Sequence, residues 1–301
     1  MSGKVIIGGG SGLIGKVLTD KLLSKGYEVS WLSRSAGYAK VPLVQWDPLN
    51  QKMPVDQIRK FDYFINLAGA GIANERWTDS RKKLITKSRV APNILFAEAM
   101  KEDKGQLKSY LSSSAIGIYG DSGDEWMFEE QSINADGFLH QSCADWEDAI
   151  KEVAATGLRT VWLRTGIVLS TEGGALQKML LPLKAGVSGY FGSGEQYYSW
   201  IHIEDMANMF IHALEHSWEG PYNAVAPAPV KMRTFAKILA KVSDGKQLVL
   251  PVPAFGIRLA MGEMSSVLLN SNRVSVRKAQ EEGYSFTYTE LQAALDDLLN
   301  S

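Results

Sequence analysis

Three glycines near the start of the chain have the spacing of a phosphate-binding turn. Gly9, Gly12 and Gly15 follow the apolar run VIIG (5–8) and open LIGKVLTDKLLSKG (13–26), whose leucines recur at helical spacing. In such a strand–turn–helix unit the first glycine permits a tight turn, the second lets the backbone approach a pyrophosphate, and the third allows close packing of helix and strand. The free N–H groups of the helix N-terminus then face the anion. The pattern predicts a dinucleotide site.

The end of the next predicted strand indicates which dinucleotide is bound. An NAD site usually carries Asp or Glu there, where the carboxylate holds the ribose 2′-hydroxyl. The strand-like segment YEVSWLS (27–33) instead ends in Ser33 and is followed by Arg34, and Glu28 lies too early in the strand. Because a guanidinium can bind a 2′-phosphate through two hydrogen bonds, we expect the cofactor to be NADP(H).

The first two thirds of the chain alternate strand-like and helix-like segments. Further strands are expected at 41–46, 62–69, 107–115 and 158–170, and helices at 77–100 and 143–157. This alternation predicts an α/β fold, a Rossmann-type doubly wound parallel sheet with helices on both faces. The proline-rich segment GPYNAVAPAPV (220–230) marks a change of unit.

We therefore expect two parts in the chain. Residues 1–218 form the NAD(P)-binding Rossmann domain, with 170–200 contributing to the substrate side, and residues 219–301 form a smaller C-terminal α/β lobe on that side. Open α/β sheets bind ligands at the carboxyl ends of their strands, so the smaller lobe should cover that edge.

Composition narrows the classes of function. The formal net charge is −1 and no long basic run occurs, which argues against nucleic acid or an anionic membrane as a partner. One cysteine and four scattered histidines indicate no internal disulfide, a reducing compartment and no metal site. The start of the chain shows no signal-peptide pattern. We expect a cytoplasmic protein with a small-molecule substrate, and the sequence is compatible with a homodimer.

Several segments resemble a known superfamily. The glycine motif, NLAG (66–69), SSSAIGIYG (112–120) and LRTGIVL (163–169) resemble the extended short-chain dehydrogenases/reductases, in their sugar-nucleotide-epimerase-like branch. More specifically, segments 173–186, 192–207 and 251–264 resemble the YfcH-like epimerase family proteins, which have a C-terminal domain of unknown function. The resemblance covers nearly the whole chain. It implies a Rossmann fold and NADP(H) binding, and it does not supply a reaction.

The resemblance also implies which residues contact the cofactor. They lie in the glycine turn, after the second strand, at the end of the NLAG strand, on the following helix and in the RTG turn, where Ile167 should lie beside the nicotinamide. The implied set is Gly9, Gly12, Leu13, Ile14, Gly15, Ser33, Arg34, Leu67, Ala68, Arg89 and Ile167. Ser114 closes the strand before the active site, and it and Tyr119 are our candidate catalytic residues.

The stretch FLHQSCADWE (138–147) stands where the superfamily has a Tyr-x-x-x-Lys pair. If Trp146-Glu147 is set on the usual end of that helix, the tyrosine position falls on Leu139 and the lysine position on Cys143. A leucine cannot transfer a proton, and a neutral thiol does not lower the pKa of a neighbour as a cation does. Three side chains are candidates for a substitute acid, Tyr119, His140 and His202, and each has a structural interpretation as well.

Two functions follow from these residues. The first is an NADP(H)-binding oxidoreductase or epimerase-like enzyme acting by hydride transfer, with a substitute acid or with only Ser114 and water. The second is a non-catalytic NADPH-binding regulator or sensor. The aromatic segment GSGEQYYSWIHIED (192–205) either lines the substrate pocket, with Gln196 and Arg164 as polar contacts, or packs between the lobes. Cys143 is either a buried small hydrophobe or a thiol with a lowered pKa.

Overall fold

A seven-stranded parallel sheet forms the centre of the protein, and this confirms the expected α/β Rossmann-type fold. The structure, a computed structural model, describes residues 3–37, 39–131, 136–243 and 245–300. The strands of the sheet lie in the order β12-β7-β5-β4-β1-β2-β3.

The strands are β1 (Lys4–Gly8), β2 (Glu28–Ser33), β3 (Leu43–Gln45), β4 (Tyr63–Asn66), β5 (Ser109–Ala115), β6 (Trp126–Met127), β7 (Arg159–Thr165), β8 (Ile167–Leu169), β9 (Val187–Phe191), β10 (Tyr197–Tyr198), β11 (Trp200–His202), β12 (Gly220–Ala224), β13 (Val230–Lys231), β14 (Leu248–Val252) and β15 (Arg273–Val274). The helices are α1 (Leu13–Ser24), α2 (Val55–Ile58), α3 (Asp79–Met100), α4 (Phe138–Ala155), α5 (Gly174–Leu183), α6 (Ile203–Glu215), α7 (Met232–Ser243), α8 (Ala254–Met261), α9 (Ser266–Leu269), α10 (Arg277–Glu281) and α11 (Leu291–Asn300). Among the described residues, no helix is long and apolar enough to cross a membrane.

Helices cover both faces of the sheet, which is why its central strands are apolar throughout. Val5, Ile6 and Ile7 of β1 are completely buried. Val5 and Ile7 pack with residues of α1 and α6, whereas Ile6 packs with residues of α3 and α4. A parallel strand buried on both faces shows no alternation of polar and apolar residues.

Two elements differ from the sequence-based expectation. Helix α4 begins at Phe138, five residues before the expected start at 143. The ring of Phe138 packs edge-on against Trp77 with centroids 4.9 Å apart, and Gly137 precedes it with φ +95°. The strand expected at 158–170 is two strands, β7 and β8, separated by Gly166. A Cβ atom at Gly166 would lie 2.4 Å from the Ser199 carbonyl oxygen, so the chain turns there in close contact with the segment before β11.

The large sheet includes a strand beyond residue 218. Strand β12, at residues 220–224, pairs with β7 and forms that edge of the sheet. The smaller part contains the parallel pair β9–β14, with α5, α7 and α11 contributing to one apolar cluster. Segment 170–200 supplies α5 and β9 to this cluster.

The C-terminal segment is attached to the start of α6 by polar contacts. The carboxylate of Asp205 accepts hydrogen bonds from the backbone N–H groups of Thr287 and Tyr288. His202 is buried: its Nδ1 accepts from the N–H of Glu204, and its ring stacks on Tyr288 with centroids 3.8 Å apart. These contacts give His202 a structural role as the N-cap of α6.

Candidate functional site

The glycine turn between β1 and α1 is packed so tightly that two of its glycines leave no room for a side chain. A Cβ atom at Gly9 would lie 2.7 Å from the Leu67 carbonyl oxygen, and one at Gly15 would lie 2.5 Å from the Gly9 carbonyl oxygen. Gly9 also has φ +80°, which favours glycine. A Cβ atom at Gly12 would meet a single atom within 4 Å, the Gly9 oxygen at 3.2 Å. The backbone therefore fills the space beside Gly9 and Gly15, whereas only one protein atom lies near the Cβ position of Gly12.

A fourth glycine of this turn was not predicted from the spacing. A Cβ atom at Gly10 would lie 2.2 Å from the indole of Trp31, which is held in place by a 2.8 Å hydrogen bond from its Nε1 to the Thr19 hydroxyl. The sequence does contain a signal for this position, the third consecutive glycine of GGGSG. That Trp31 of β2 packs against it is visible only in the folded chain.

The first turn of α1 has no side-chain cap. Gly12 is the N-cap residue and is exposed, and no acidic side chain lies in the first turn of the helix. Its uncapped N–H groups, together with the helix dipole, favour an anion at this end. The side chain of Leu13 lies 3.5 Å from the position of a Cβ atom on Gly174, so the start of α5 lies close to the start of α1.

The end of β2 presents an exposed cation. Arg34 follows Ser33, whose hydroxyl donates a 2.8 Å hydrogen bond to the carbonyl of Ser35. The segment after Arg34 and strand β3 enclose an open concavity of about 530 Å³ lined by Ser35, Lys40 and Gln45 among others. Arg34 directly precedes this lining. A hydrogen bond from the Asn50 side chain lowers the pKa of Asp47, and the charge of Arg34 helps to lower it.

A second cation lies at the end of β4. The guanidinium of Arg89 packs under Gly69, where an added Cβ atom would be 3.2 Å from Cζ, and over the ring of Trp146 at 5.2 Å. Its Nη1 donates to the carbonyl of Ile85, and burial lowers the pKa of Arg89. Arg89 makes no ion pair within 4 Å in the described part of the chain. Because a half-buried cation without a counter-charge is unfavourable, a bound anion would stabilise it. Leu67 and Ala68 adjoin the site, and the N–H of Ala68 donates to the Asn66 side chain.

The helix face with Leu139 and Cys143 packs against the turn that follows β5. A Cβ atom at Gly117 would lie 2.9 Å from Cγ of Leu139 and 3.2 Å from Sγ of Cys143. Both residues thus face the turn at Gly117, three residues after Ser114. Cys143 lies in an apolar cluster, and burial raises the pKa of its thiol to about 12. This supports the interpretation of Cys143 as a small buried hydrophobe.

A buried polar network joins the two candidate catalytic residues. The hydroxyl of Ser114 donates to Glu147 Oε1 at 2.7 Å, and Arg164 donates from Nε and Nη2 to the two oxygens of the same carboxylate, each at 2.9 Å. Arg164 also donates from Nη1 to the Tyr119 hydroxyl at 2.9 Å, which in turn donates to the side-chain oxygen of Asn223 at 2.7 Å. The network connects β5, α4, β7 and β12.

Two members of the network, Arg164 and Tyr119, have raised pKa values. Burial disfavours the charge of Arg164, but the hydrogen bonds with Glu147 outweigh this and raise the pKa of the guanidinium. Burial raises the pKa of Tyr119 to about 12, so its hydroxyl keeps its proton at neutral pH. Ser114 is buried as well. His140, the other candidate acid near Leu139, is half-buried, with Nδ1 2.5 Å from the Ile118 carbonyl oxygen.

The aromatic segment before α6 is used in packing. Tyr198 and Trp200 are buried, and their polar atoms donate to the carbonyls of Leu268 and Ala228. The amide of Gln196 donates to the same Leu268 carbonyl. Of the two interpretations of this segment, the contacts support packing between the lobes. Ile167, on β8, is only half-buried and stands opposite Trp200 in the β8–β11 pair.

Among the described residues, no group of three or more His, Cys, Asp or Glu side chains could hold a metal ion. The tight glycine turn, the parallel strand order and the two cations at the ends of β2 and β4 define a Rossmann-type protein of the extended short-chain dehydrogenase/reductase class. The chain belongs to the NAD dependent epimerase/dehydratase family, which it matches over residues 5–225. Residues 252–298 match a domain of unknown function, DUF1731.

Relatives of similar length are found in bacteria and in mammals. The chain is 37% identical over 296 residues to the epimerase family protein YfhF of Bacillus subtilis, covering 97% of this chain and 96% of that protein. It is 33% identical over 301 residues to the epimerase family protein SDR39U1 of Mus musculus, covering 98% and 99% of the two chains.

Solved structures show the same architecture. Human SDR39U1 (isoform 2), crystallised with NADPH, is 30% identical and superimposes with a TM-score of 0.88 over 99% of both chains. The nucleoside-diphosphate sugar epimerase of Corynebacterium glutamicum is 33% identical with a TM-score of 0.80, over 98% of this chain and 58% of that one. A UDP-N-acetylglucosamine 4-epimerase of Bacillus cereus, 16% identical with a TM-score of 0.78 over 99% of this chain and 98% of that one, shares the fold alone.

Proposed function

We propose that this protein is an NADP(H)-dependent oxidoreductase or epimerase-like enzyme that acts on a small molecule. The observation that carries the proposal is the glycine turn, which is closed at Gly9 and Gly15 and open at Gly12, at the uncapped start of α1. This arrangement suits a pyrophosphate. The NADPH bound to human SDR39U1 supports the same cofactor here.

The residues present fit this cofactor. The N–H groups of Leu13 and Ile14 would hold the pyrophosphate, Ser33 and Arg34 the ribose 2′-phosphate, and Arg89 would supply a further positive charge at the end of β4. Arg34 is exposed, and Arg89 makes no ion pair in the described ranges, so neither role requires an ion pair within 4 Å to break. Ile167 would lie beside the nicotinamide. A cytoplasmic location remains part of the proposal.

The chemistry proposed is hydride transfer to or from a carbon that bears oxygen. When bound, NADPH supplies a hydride to a carbonyl carbon, and the carbonyl oxygen takes up a proton, giving an alcohol and NADP⁺. Ser114 would orient the substrate oxygen, and Glu147 holds the Ser114 hydroxyl in position. Tyr119 is the candidate donor of the proton that the substrate oxygen takes up. The hydroxyl oxygen of Tyr119 already accepts a hydrogen bond from Arg164.

A second function is favoured by a specific observation. Ser114 and Tyr119 are both buried and hydrogen-bonded within the protein, and in the alignment that the family resemblance implies, Leu139 and Cys143 take the positions of the acid and the lysine. A protein that binds NADPH without turnover, as a regulator or redox sensor, would need none of these side chains to act on a substrate.

Cofactor choice is tested by calorimetry. NADPH should bind roughly 10–100-fold more tightly than NADH, the equivalent of one charge-assisted contact. Arg34→Ala should remove most of this difference, whereas Lys60→Ala, a matched change of an exposed cation, should not. Gly12→Val should abolish binding of both dinucleotides and leave the fold intact. Equal affinities of the parent protein for NADPH and NADH would refute the role of Arg34.

Turnover separates the two functions. NADPH oxidation, followed by absorbance across a panel of aldehydes and ketones, should reveal a substrate for the enzyme, and Ser114→Ala and Tyr119→Phe should then lower the rate. If NADPH binds tightly, no compound in the panel is reduced, and a protein partner is retained only when NADPH is present, the regulatory function is the correct one.

A further inference from the structure

Large apolar side chains are exposed to water along one short stretch of the C-terminal part of the chain. Leu248, Leu250 and Val252 of β14 are 65%, 44% and 37% exposed, and Phe255 and Leu259 of α8 are 75% and 80% exposed. These five residues are called the outer apolar face. Phe255 and Leu259 are the most exposed large apolar side chains in the described part of the chain. Single exposed leucines are ordinary, whereas several large apolar side chains on adjoining elements indicate an interaction surface.

The packing of the β9–β14 pair explains why the β14 residues of this face meet water. Ser188 stands opposite Val249, and its hydroxyl donates a 2.8 Å hydrogen bond to the carbonyl of Ala236 on α7. Because successive side chains of a strand point to opposite faces, the residues on either side of Val249 point away from α7. Gly189, which stands opposite Leu250, adds no side chain to that outer side.

Helix α8 extends the exposed stretch and adds a cation to it. Phe255 and Leu259 are four residues apart, and Arg258 is three residues after Phe255, so the three lie on one side of the helix. Ile257 is buried on another side. Arg258 is exposed and makes no ion pair within 4 Å in the described ranges. The side of α8 that meets water is therefore apolar and positively charged.

The segments that form this surface contain no acidic residue. Residues 174–194 include α5 and β9, and residues 245–262 include β14 and α8. At the average of the chain, 33 acidic residues in 301, these 39 residues would carry about four. Their charged residues are instead Lys178, Lys184, Lys246 and Arg258.

A further cation comes from a distant part of the sequence. Arg76 is exposed in the loop before α3, and its Nη2 lies 3.3 Å from the position of a Cβ atom on Gly262, directly after α8. Arg76 makes no ion pair within 4 Å in the part of the chain that the structure describes. The carboxylate next to Gly262, Glu263, pairs with Lys82. A partner that covers the outer apolar face would thus meet positive charge that the protein leaves uncompensated.

The free edge of β14 is poorly suited to a further strand. The N–H of Leu248 donates to the Gly186 carbonyl, and the Val252 carbonyl accepts from Gly192, so alternate residues of β14 direct their backbone groups toward β9. The residues between them, which include Pro251, direct theirs toward the free edge, and a proline has no N–H to donate. A second copy placed on this face by a two-fold axis would bring its cations against identical cations.

We propose that the outer apolar face and the cations beside it bind the surface of a bilayer that contains anionic phospholipid. Phe255 and Leu259 enter the boundary between headgroups and acyl chains, and Arg258 and Arg76 lie at the lipid phosphates. The sequence alone argued against such a partner because it has no basic run. The cations of this surface come from separate segments, which only the fold brings together.

The test is co-sedimentation of the full chain with vesicles of phosphatidylcholine alone or of phosphatidylcholine with phosphatidylglycerol. Binding should require phosphatidylglycerol and should weaken as salt is added, because salt screens the attraction. Phe255→Ser should weaken binding at least about tenfold, and Arg258→Gln about fivefold. The matched controls are Leu23→Ser, at a leucine that is 37% exposed on α1, and Lys60→Gln, at an exposed cation; both should bind as the parent does. All four variants should keep the circular dichroism spectrum of the parent.

Three results would overturn the proposal. One is a parent protein that does not bind the phosphatidylglycerol vesicles. Another is a loss of binding in Lys60→Gln as large as that in Arg258→Gln, which would show that the overall charge is responsible and not this face. The third is a parent protein that sediments as a dimer and a Phe255→Ser variant that sediments as a monomer with unchanged vesicle binding, which would assign the face to a second copy. None of these measurements uses a cofactor, so they test the face independently of the proposed reaction.

Discussion

Substitution of Glu147 by glutamine should destabilise the protein strongly, because Glu147 is the only carboxylate that pairs with Arg164 among the described residues. The side chains of Arg164 and Glu147 are 7% and 4% exposed, and they share two hydrogen bonds of 2.9 Å. Removing one partner of a buried ion pair leaves the other charge uncompensated, at a cost of about 3–5 kcal/mol. The contacts of Arg164 with the Tyr119 hydroxyl and the Glu129 carbonyl would remain, but both of these groups are neutral.

The size of this loss can be measured by urea unfolding, followed by circular dichroism. A domain is stable by about 5–15 kcal/mol, so the loss should also lower Tm by roughly 10 °C. The control is Glu195→Gln, the same change in an exposed pair with Lys231 at 2.7 Å, which should leave stability nearly unchanged because solvent screens such pairs. Equal, small effects of the two changes would refute the conclusion that the Glu147–Arg164 pair holds β7 to α4.

Three further predictions concern single residues. In the native protein Cys143 should react slowly with iodoacetamide, because a pKa of about 12 lowers its thiolate fraction at neutral pH on the order of a thousandfold; rapid native labelling by mass spectrometry would contradict its burial. Burial lowers the pKa of His202, so unfolding at mildly acidic pH takes up a proton. The stability present above about pH 6.5 should therefore be lost as the pH falls below that value. The urea midpoint of unfolding should fall over this range, and it should fall less in His202→Asn. Gly15→Ala should lower Tm because its Cβ would lie 2.5 Å from the Gly9 carbonyl oxygen, whereas Gly12→Ala should keep Tm and lose NADPH affinity; equal Tm losses would refute the difference between the two positions.

The sequence was sufficient for the features that rest on neighbouring residues. The glycine turn could be predicted because strand, turn and helix follow one another within residues 5–26, and each imposes its own pattern. The parallel sheet followed from the same alternation repeated along the chain. The family resemblance added Arg89 as a predicted contact of the cofactor.

The polar network required the folded chain. Ser114 and Glu147 are 33 residues apart, and Tyr119 and Asn223 are 104 apart, so no local pattern joins them. Arg164 was considered as a contact for the substrate, but its guanidinium is held by Glu147 inside the protein. A polar side chain next to a catalytic motif can serve the substrate or the fold, and only the positions of its partners distinguish the two.

Two exposed apolar side chains of α8, Phe255 and Leu259, also could not be predicted from the sequence. By composition alone, Phe255 and Leu259 are residues expected in a core, and the segment around them is apolar like the buried strands. Local sequence determines that this segment forms a helix. Which side of that helix meets protein is determined by tertiary packing: Ile257 is buried, while Phe255 and Leu259 face water, because the free energy of burial depends on the neighbours that the rest of the fold supplies.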